Sequence, residues 1–123
     1  MARHNQLGKW GEDLACDVLV ADGWAIAERN WRLGHLEIDI IALNTNTIVF
    51  AEVKTRADID EDPFEAIDRR KISNMVRAAD AYLAMHPDLR QNPRFDLFGI
   101  SGTPDNHRLE HLPDAFDPPL RSY

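Results

Sequence analysis

Three charged side chains, Asp39, Glu52 and Lys54, lie inside two apolar, β-branched runs at residues 37–42 and 47–54. A polar, Asn-rich break separates the two runs, and this pattern is typical of a β-hairpin. Burying a charge costs free energy unless the charge is paired or bound to a metal ion. The three side chains therefore need a partner, and that partner decides what chemistry they can perform.

The spacing of the hairpin predicts which of these side chains meet. With a two-residue turn at residues 45–46, counting back along both strands places Asp39 opposite Glu52, whereas an odd turn without a bulge would put them on opposite faces. Lys54 shares the face of Glu52, because side chains alternate along a strand. Two carboxylates directly opposite each other repel unless a cation lies between them. Mg²⁺ is often held by one or two carboxylates, so the even register predicts a metal site. The plainer alternative is a solvated polar face of the hairpin.

Length and composition bound the class of protein. The 123 residues indicate one domain, which we expect to span residues 1–112, followed by an irregular Pro-rich tail at 113–123. The net charge of −7 counts against nucleic acid, since proteins that bind it tend to be basic. Ten of the fourteen Lys and Arg residues precede residue 78, however, so a locally basic face is still available.

The lone Cys16 excludes a disulfide framework and a zinc cluster, and it is interpreted as a buried thiol.

Targeting signals are not apparent in the chain. No apolar run reaches membrane-spanning length, and the N-terminal residues do not form the apolar core of a signal peptide. We therefore expect a cytoplasmic protein of bacterial type without a membrane partner.

The elements that must position the hairpin follow from periodicity and turn residues. We expect a first helix capped by Asn5 and ended by Gly23. A second helix is expected to open at Pro63 and to run to about Met85. Strands are expected at residues 23–30, 37–42, 47–54 and 94–101, with a short edge strand at 107–112.

The first helix carries a candidate third acid, Glu12. It lies on one stripe with Gly8 and Gly11, and glycines inside a helix indicate close backbone packing. Glu12 is either an exposed helix carboxylate, which is usual for Glu, or an acid that leans over the hairpin and binds the metal directly or through water. Residue type alone favours the exposed carboxylate.

Basic residues near the hairpin are candidates for phosphate contacts. The alternative for each is a solvated surface charge, which is the commoner case. The acidic loop at residues 58–62 would repel nucleic acid, so we expect it to swing aside. The candidate nucleic-acid contacts are Arg32, Arg56, Arg70 and Lys71.

The spacing of Asp39, Glu52 and Lys54 resembles the PD-(D/E)xK nuclease signature, with Ile38 in place of the common proline. The resemblance continues over residues 5–101, where a series of motifs looks like the YraN-like family of bacterial proteins. These motifs are Gly8-x-x-Gly11-Glu12-x-x-Ala15, Gly23-Trp24, Arg29-Asn30-Trp31-Arg32, Glu37-Ile38-Asp39-Ile40-Ile41-Ala42, Val49-Phe50-Ala51-Glu52-Val53-Lys54-Thr55-Arg56, Glu65-Ala66 with Lys71, and Arg94-Phe95-Asp96.

The resemblance implies an α/β fold with a restriction-endonuclease-like, Holliday-junction-resolvase-like core. That core is a central mixed β-sheet with a hairpin, flanked by helices in the order αβββαβ. The resemblance also implies a catalytic site of Asp39, Glu52, Lys54 and Glu12, in which the three acids bind Mg²⁺ or Mn²⁺. Lys54 would position the attacking water, and Lys71 would be the helix lysine.

We therefore expect a metal-dependent nuclease that hydrolyses nucleic-acid phosphodiester bonds, with DNA, including branched DNA, as the first candidate substrate. Homodimerisation is left open. A second hypothesis is a non-catalytic nucleic-acid-binding or adaptor module that retains the nuclease fold and holds DNA equally well in chelator. A third is an interaction protein in which the charges merely pair, and such a protein would give no heat with Mg²⁺ or Mn²⁺.

Overall fold

The computed structural model describes the backbone of residues 2–117 and the side chains of residues 6–117. This part of the chain contains two α-helices, one short 3-10 helix and five strands. Their order is α1 (Ala2–Ala21), β1 (Ala25–Leu33), β2 (Leu36–Leu43), β3 (Thr47–Arg56), a 3-10 helix (Pro63–Ala66), α2 (Arg69–Met85), β4 (Asn92–Thr103) and β5 (Asn106–Leu112).

The five described strands form one mixed sheet in the order β1-β2-β3-β4-β5. Neighbouring strands are antiparallel, except that β3 and β4 run parallel. A parallel pair needs a crossover connection, and the segment that contains α2 supplies it. The predicted mixed α/β sheet and its helix order are confirmed, and β5 is the expected edge strand.

The two helices cover opposite faces of the sheet, and each face has its own apolar core. Successive side chains of the central strands pack alternately into one core and the other, which is the usual pattern for a sheet buried on both sides. The α1 face contains Ala15, Cys16, Leu19, Trp24, Ile40, Ala42, Val49, Ala51 and Phe98. The α2 face contains Ile38, Ile41, Ile48, Phe50, Met75, Val76, Ala78, Ala79, Tyr82, Phe95 and Leu97.

The C-terminal end of α1 is set by Gly23, as predicted. Gly23 adopts φ +93°, a conformation that glycine reaches without steric cost. Its N–H donates to the Val20 carbonyl at 3.0 Å, and the Trp24 N–H donates to the Leu19 carbonyl at 3.0 Å. These two bonds satisfy carbonyls at the helix end in a Schellman motif.

Two predicted helix boundaries are wrong. The first helix begins at Ala2, so Asn5 lies inside it and does not cap it. The second helix does not run unbroken from Pro63, because the 3-10 helix ends at Ala66 and the backbone of Ile67 is extended. Asp68 then caps α2, its side chain accepting from the Lys71 N–H at 2.9 Å. An Asp side chain competes for backbone N–H groups, which favours a new helix start over continuation.

Residues 113–117 form no helix or strand, and residues 118–123 of the predicted tail lie outside the described part. The Ala115 N–H donates to the Phe95 carbonyl at 2.7 Å, so the tail begins against β4. Within residues 2–117, neither helix is long and apolar enough to cross a membrane.

The two glycines of α1 have different surroundings, so close packing is confirmed for Gly11 and wrong for Gly8. A Cβ added at Gly11 would overlap the Cγ2 methyl of Thr55, whereas one at Gly8 would meet nothing within 4 Å. We expect Gly11→Ala to lower the free energy of unfolding by about 1–3 kcal/mol, since it overpacks the helix–sheet contact. Urea unfolding followed by circular dichroism measures this loss.

Gly8→Ala is the matched control. It should be neutral or raise stability by up to about 1 kcal/mol, because alanine is the better helix former. Thr55→Ser removes the overlapping methyl and should restore most of the loss when combined with Gly11→Ala. Equal urea midpoints for Gly11→Ala and the unsubstituted protein would contradict the packing argument.

Candidate functional site

The hairpin that carries the acids has the predicted register. The paired residues of β2 and β3 run from Leu43–Ile48 to Ile40–Ala51. The turn is closed by Asn44, whose N–H donates to the Thr47 carbonyl at 3.0 Å. Its Oδ1 accepts from the backbone N–H groups of residues 46 and 47, at 3.0 and 2.8 Å. An Asn side chain that bonds its own backbone favours a tight turn, which fixes the even register on which the acid pair depends.

The backbone pairing of β2 with β3 ends at Ile40, and the side chain of Asp39 makes the next hydrogen bond between the two strands. Its Oδ2 accepts from the Val53 N–H at 2.8 Å. The alternation of β2 also breaks at this residue, because Ile38 packs on the α2 face while Ile40 packs on the α1 face. Residues two apart on a regular strand share a face, so β2 turns at Asp39. This turn aims the carboxyl group into the fork between β2 and β3.

Asp39 and Glu52 form a buried acid pair in this fork. They are 8% and 3% exposed. Burial, the charge of Glu52 and a hydrogen bond to Glu52 raise the pKa of Asp39 to about 8, although the Val53 N–H acts in the opposite direction. The predicted encounter of the two carboxyl groups is therefore present, and at neutral pH Asp39 retains its proton.

Two lysines approach Glu52, one from the hairpin and one from α2. Lys71 Nζ lies 2.8 Å from Glu52 Oε1, and Lys54 Nζ lies 3.8 Å from the same oxygen. Lys54 shares the face of Glu52, as predicted, and Val53 packs on the α1 side. Burial lowers the pKa of Lys71, but the hydrogen bond to Glu52 and the charges of Glu52 and Asp39 raise it overall. Lys71 is therefore protonated and acts as a cation beside the acid pair.

Glu12 approaches the acid pair from the α1 side. Its side chain is only 17% exposed, so it is not the exposed helix carboxylate that residue type alone favours. Its Oε1 accepts from Asn30 Nδ2 at 3.0 Å and lies 3.6 Å from the Arg29 guanidinium. Burial raises the pKa of Glu12, Asn30 lowers it and the charge of Asp39 raises it, with a net increase. Glu12 and Asp39 are thus near enough to interact electrostatically.

The three acids are not gathered into a closed metal cage. Among the side chains described for residues 6–117, no three His, Cys, Asp or Glu residues are grouped so as to hold a metal ion. Asp39 and Glu52 supply the two closest carboxylates. A cation there would need further oxygen ligands from the Val53 carbonyl, from water or from a moved Glu12.

A cavity of about 590 Å³ opens beside Glu12. Three cationic side chains lie on it, and one of them is Arg32, a candidate phosphate contact. Sequence reasoning did not assign Lys9 to this surface, and it ended the first strand at Asn30, whereas β1 extends to Leu33. The lining residues are Gly8, Lys9, Glu12, Arg29, Asn30, Arg32 and Glu37.

Two of the predicted phosphate contacts lie away from this cavity. Arg56 Nε lies 4.0 Å from Glu61 in the acidic loop, and Arg70 is exposed in the first turn of α2. Neither forms an ion pair with the acid pair in the described chain. The loop itself lines a second cavity with residues of β4 and β5, on the side of β3 away from β2. The acidic loop therefore lies away from the fork.

Comparison with known proteins finds one family whose description is "Uncharacterised protein family UPF0102", and its model matches residues 11–100. A UPF0102 protein of Bacteroides thetaiotaomicron is 46% identical over 121 residues, covering 98% of this chain and 99% of the relative. A UPF0102 protein of Flavobacterium johnsoniae is 40% identical over 120 residues, covering 94% of this chain and 98% of the relative. A third, from Syntrophotalea carbinolica, is 41% identical over 112 residues, covering 90% and 91%.

Proposed function

We propose that this chain, which belongs to the uncharacterised protein family UPF0102, is a divalent-metal-dependent nuclease that hydrolyses nucleic-acid phosphodiester bonds. Its fold would be the restriction-endonuclease-like core. The order α1-β1-β2-β3-α2-β4, with the acids at the fork of β2 and β3, supports that assignment. DNA is the first candidate substrate, and branched DNA belongs in any panel of tests.

One observation carries the proposal, namely the buried acid pair itself. Burial and the negative charge of Glu52 hold the pKa of Asp39 at about 8, so the pair resists carrying two charges without a cation. Carboxylate pairs of this kind are typical of functional sites, because the protein keeps charges together at a cost in stability. The donor set, two carboxylates and a backbone carbonyl, consists of the hard oxygen ligands that Mg²⁺ and Mn²⁺ prefer.

Asp39, Glu52 and the Val53 carbonyl would hold the cation, and Glu12 would complete or orient the ligand set. Bound there, a divalent cation would act as a Lewis acid that polarises a phosphodiester, and it would lower the pKa of a bound water molecule. Lys54 lies next to Glu52 and would orient the attacking water and offset negative charge in the transition state. Lys71 would be released from Glu52 to contact a phosphate oxygen.

The cavity lined by Lys9, Arg29 and Arg32 would hold the nucleic-acid backbone beside the acids. Contacts to phosphate fix position without reading sequence. The affinity should therefore fall with salt and depend little on base sequence.

A specific observation favours the second candidate, a nucleic-acid-binding module without catalysis. The Lys71 ammonium lies 2.8 Å from Glu52, so it can neutralise part of the acid pair without any metal ion. In that case the acids and lysines are a structural ion-pair network, and the basic cavity is the functional surface.

Metal binding and cleavage, measured together, test the proposal. Calorimetry with Mn²⁺ should show one site in the unsubstituted protein and none in Asp39→Asn, which keeps the acceptor for the Val53 N–H. Linear, branched and single-stranded DNA and RNA should be incubated with Mn²⁺, and cleavage of at least one substrate is expected. Glu61→Gln is the matched control, because it removes an acid of the loop that lies away from the fork.

Cleavage that survives Asp39→Asn would come from a contaminant or another site and would contradict the proposal. DNA binding that is equal in Mn²⁺ and in chelator, with no cleavage, would establish the non-catalytic module instead.

A further inference from the structure

We propose that Asn30 is the positioning residue of this site, and that its left-handed backbone conformation exists to hold Glu12 beside Asp39. The inference rests on the proposed metal site and adds a residue that acts on the metal through Glu12 rather than binding it. Three features of β1 support it: the conformation of Asn30, the faces on which its neighbours lie, and its position opposite Asp39 in the sheet.

The backbone of Asn30 is unusual for a residue within a strand. Its φ is +54°, and within residues 2–117 the only other non-glycine residue with positive φ is Asp114. L-residues in this region crowd Cβ against the following carbonyl, at a cost of about 1–2 kcal/mol, and Asn tolerates it better than most. Conformations of this kind cluster at functional sites, where the surrounding structure maintains them.

The left-handed residue reverses the alternation of side chains along β1. Glu28 accepts a hydrogen bond from the Tyr82 hydroxyl at 3.3 Å, and the Trp31 ring packs edge-on against Tyr82 at 5.2 Å. These two residues are three apart, yet both face α2, whereas an unbroken strand would put them on opposite faces. Between them Arg29 and Asn30, although consecutive, both reach the carboxylate of Glu12 on α1.

Asn30 also lies at the level of Asp39. The flanking β1–β2 pairs are Arg29 with Ile40 and Trp31 with Ile38, which leaves Asn30 opposite Asp39. The alternation of side chains in β2 is interrupted at Asp39. The alternation is therefore interrupted at opposite positions of the two neighbouring strands. The amide of Asn30, donating to Glu12 at 3.0 Å, therefore links the acid of α1 to the level of the acid pair.

A simpler role for the irregularity is protection of a sheet edge. β1 is an edge strand, its register with β2 shifts between Ile26 and Glu28, and such irregularities discourage pairing with another chain. Edge protection needs a distorted backbone but does not need the amide of Asn30. A substitution that keeps the backbone and removes the amide separates the two roles.

Asn30→Gly is that substitution, since glycine adopts positive φ freely. We expect it to weaken Mn²⁺ binding about tenfold, the lower end of the effect of removing a group that orients a ligand, while the melting temperature of the metal-free protein changes little. Asp114→Gly is the matched control. It replaces the other positive-φ residue in the same way and should leave the Mn²⁺ affinity unchanged.

A double-mutant cycle assigns the effect to Glu12. In a Glu12→Gln background, Asn30→Gly should cause no further loss of Mn²⁺ affinity. An equal loss in both backgrounds, or none in either, would overturn the positioning role while leaving the metal site intact.

A crystal structure of metal-free Asn30→Gly provides a readout that does not depend on metal. Glu12 turned away from Asp39 would support the inference, and Glu12 unmoved would overturn it. If calorimetry showed no Mn²⁺ binding by the unsubstituted protein, the proposed function would be wrong. The crystal structure of metal-free Asn30→Gly would still show whether Asn30 positions Glu12.

Discussion

Mn²⁺ binding is expected to strengthen about tenfold for each pH unit between about pH 6 and pH 8, and to level off above that. A carboxyl group must lose its proton before it binds a metal ion, so each ion bound releases one proton from the acid pair. Asp39 carries that proton, because burial and the charge of Glu52 raise its pKa to about 8. Over the two units the affinity should therefore change about a hundredfold.

Calorimetry in buffers of different ionisation enthalpy would measure both the affinity and the proton released at each pH. Glu61→Gln should retain the slope, and Asp39→Asn should lose both the slope and the binding. An affinity that does not vary between pH 6 and pH 8 would mean that Asp39 is already ionised at pH 6, which would contradict its raised pKa.

The same raised pKa predicts how stability varies with pH in the metal-free protein. Between the ordinary pKa of 3.8 for an Asp side chain and about 8, the folded state holds a proton on Asp39 that the unfolded state has released. The unfolding free energy should therefore fall as pH rises through this window. Asp39→Asn should remove this fall, so that its melting temperature exceeds that of the unsubstituted protein above pH 8.

Asp96→Asn is expected to lower the free energy of unfolding by about 3 kcal/mol, because it leaves a charged Arg without its partner. Asp96 is 0% exposed. Arg94 donates two hydrogen bonds to it, from Nε at 2.9 Å and from the guanidinium terminus at 2.8 Å. His111 Nε2 lies 2.8 Å from Oδ2, and the Asp114 N–H donates to Oδ1 at 3.1 Å. This loss of unfolding free energy is at the low end for a broken buried ion pair, because the Arg94 side chain is 27% exposed and partly solvated.

Urea unfolding measures this loss of stability. The control is Asp105→Asn, in the exposed turn before β5, which should change the free energy of unfolding by less than about 0.5 kcal/mol. Burial raises the pKa of Asp96, but Arg94, His111 and the Asp114 N–H lower it overall. The stabilisation is therefore present above the unfolded value of 3.8 and is lost as pH falls below it. A cost below about 1 kcal/mol would show that Arg94 is well solvated without Asp96.

Much of the hairpin was predictable because its determinants are local. The Asn44 turn, the alternation of two short strands and the even count between them place Asp39 and Glu52 together. The end of α1 at Gly23 is local in the same sense, since a positive φ at one residue suffices. Asp68, by contrast, is a local cap signal that the prediction overlooked in favour of Pro63.

The surroundings of the acid pair were not predictable from neighbouring residues. Glu12 and Lys71 come from helices on opposite faces of the sheet, and whether either side chain turns inward depends on how closely each helix packs. Residue type therefore favoured an exposed Glu12, and the contact of Lys71 with Glu52 had no signal in residue spacing alone.

The sequence by itself determined the register of the hairpin and the pairing of its two acids, because both follow from periodicity and turn chemistry within a short segment. The mixed sheet was expected only from the family resemblance, because its parallel β3–β4 pair joins strands that are distant in sequence. Only the tertiary structure decided that β1 and β2 reverse their faces together at Asn30 and Asp39. Such a reversal strains the backbone locally, and contacts with helices that are distant in sequence offset the strain. Because these contacts form only in the folded chain, neighbouring residues do not predict the reversal.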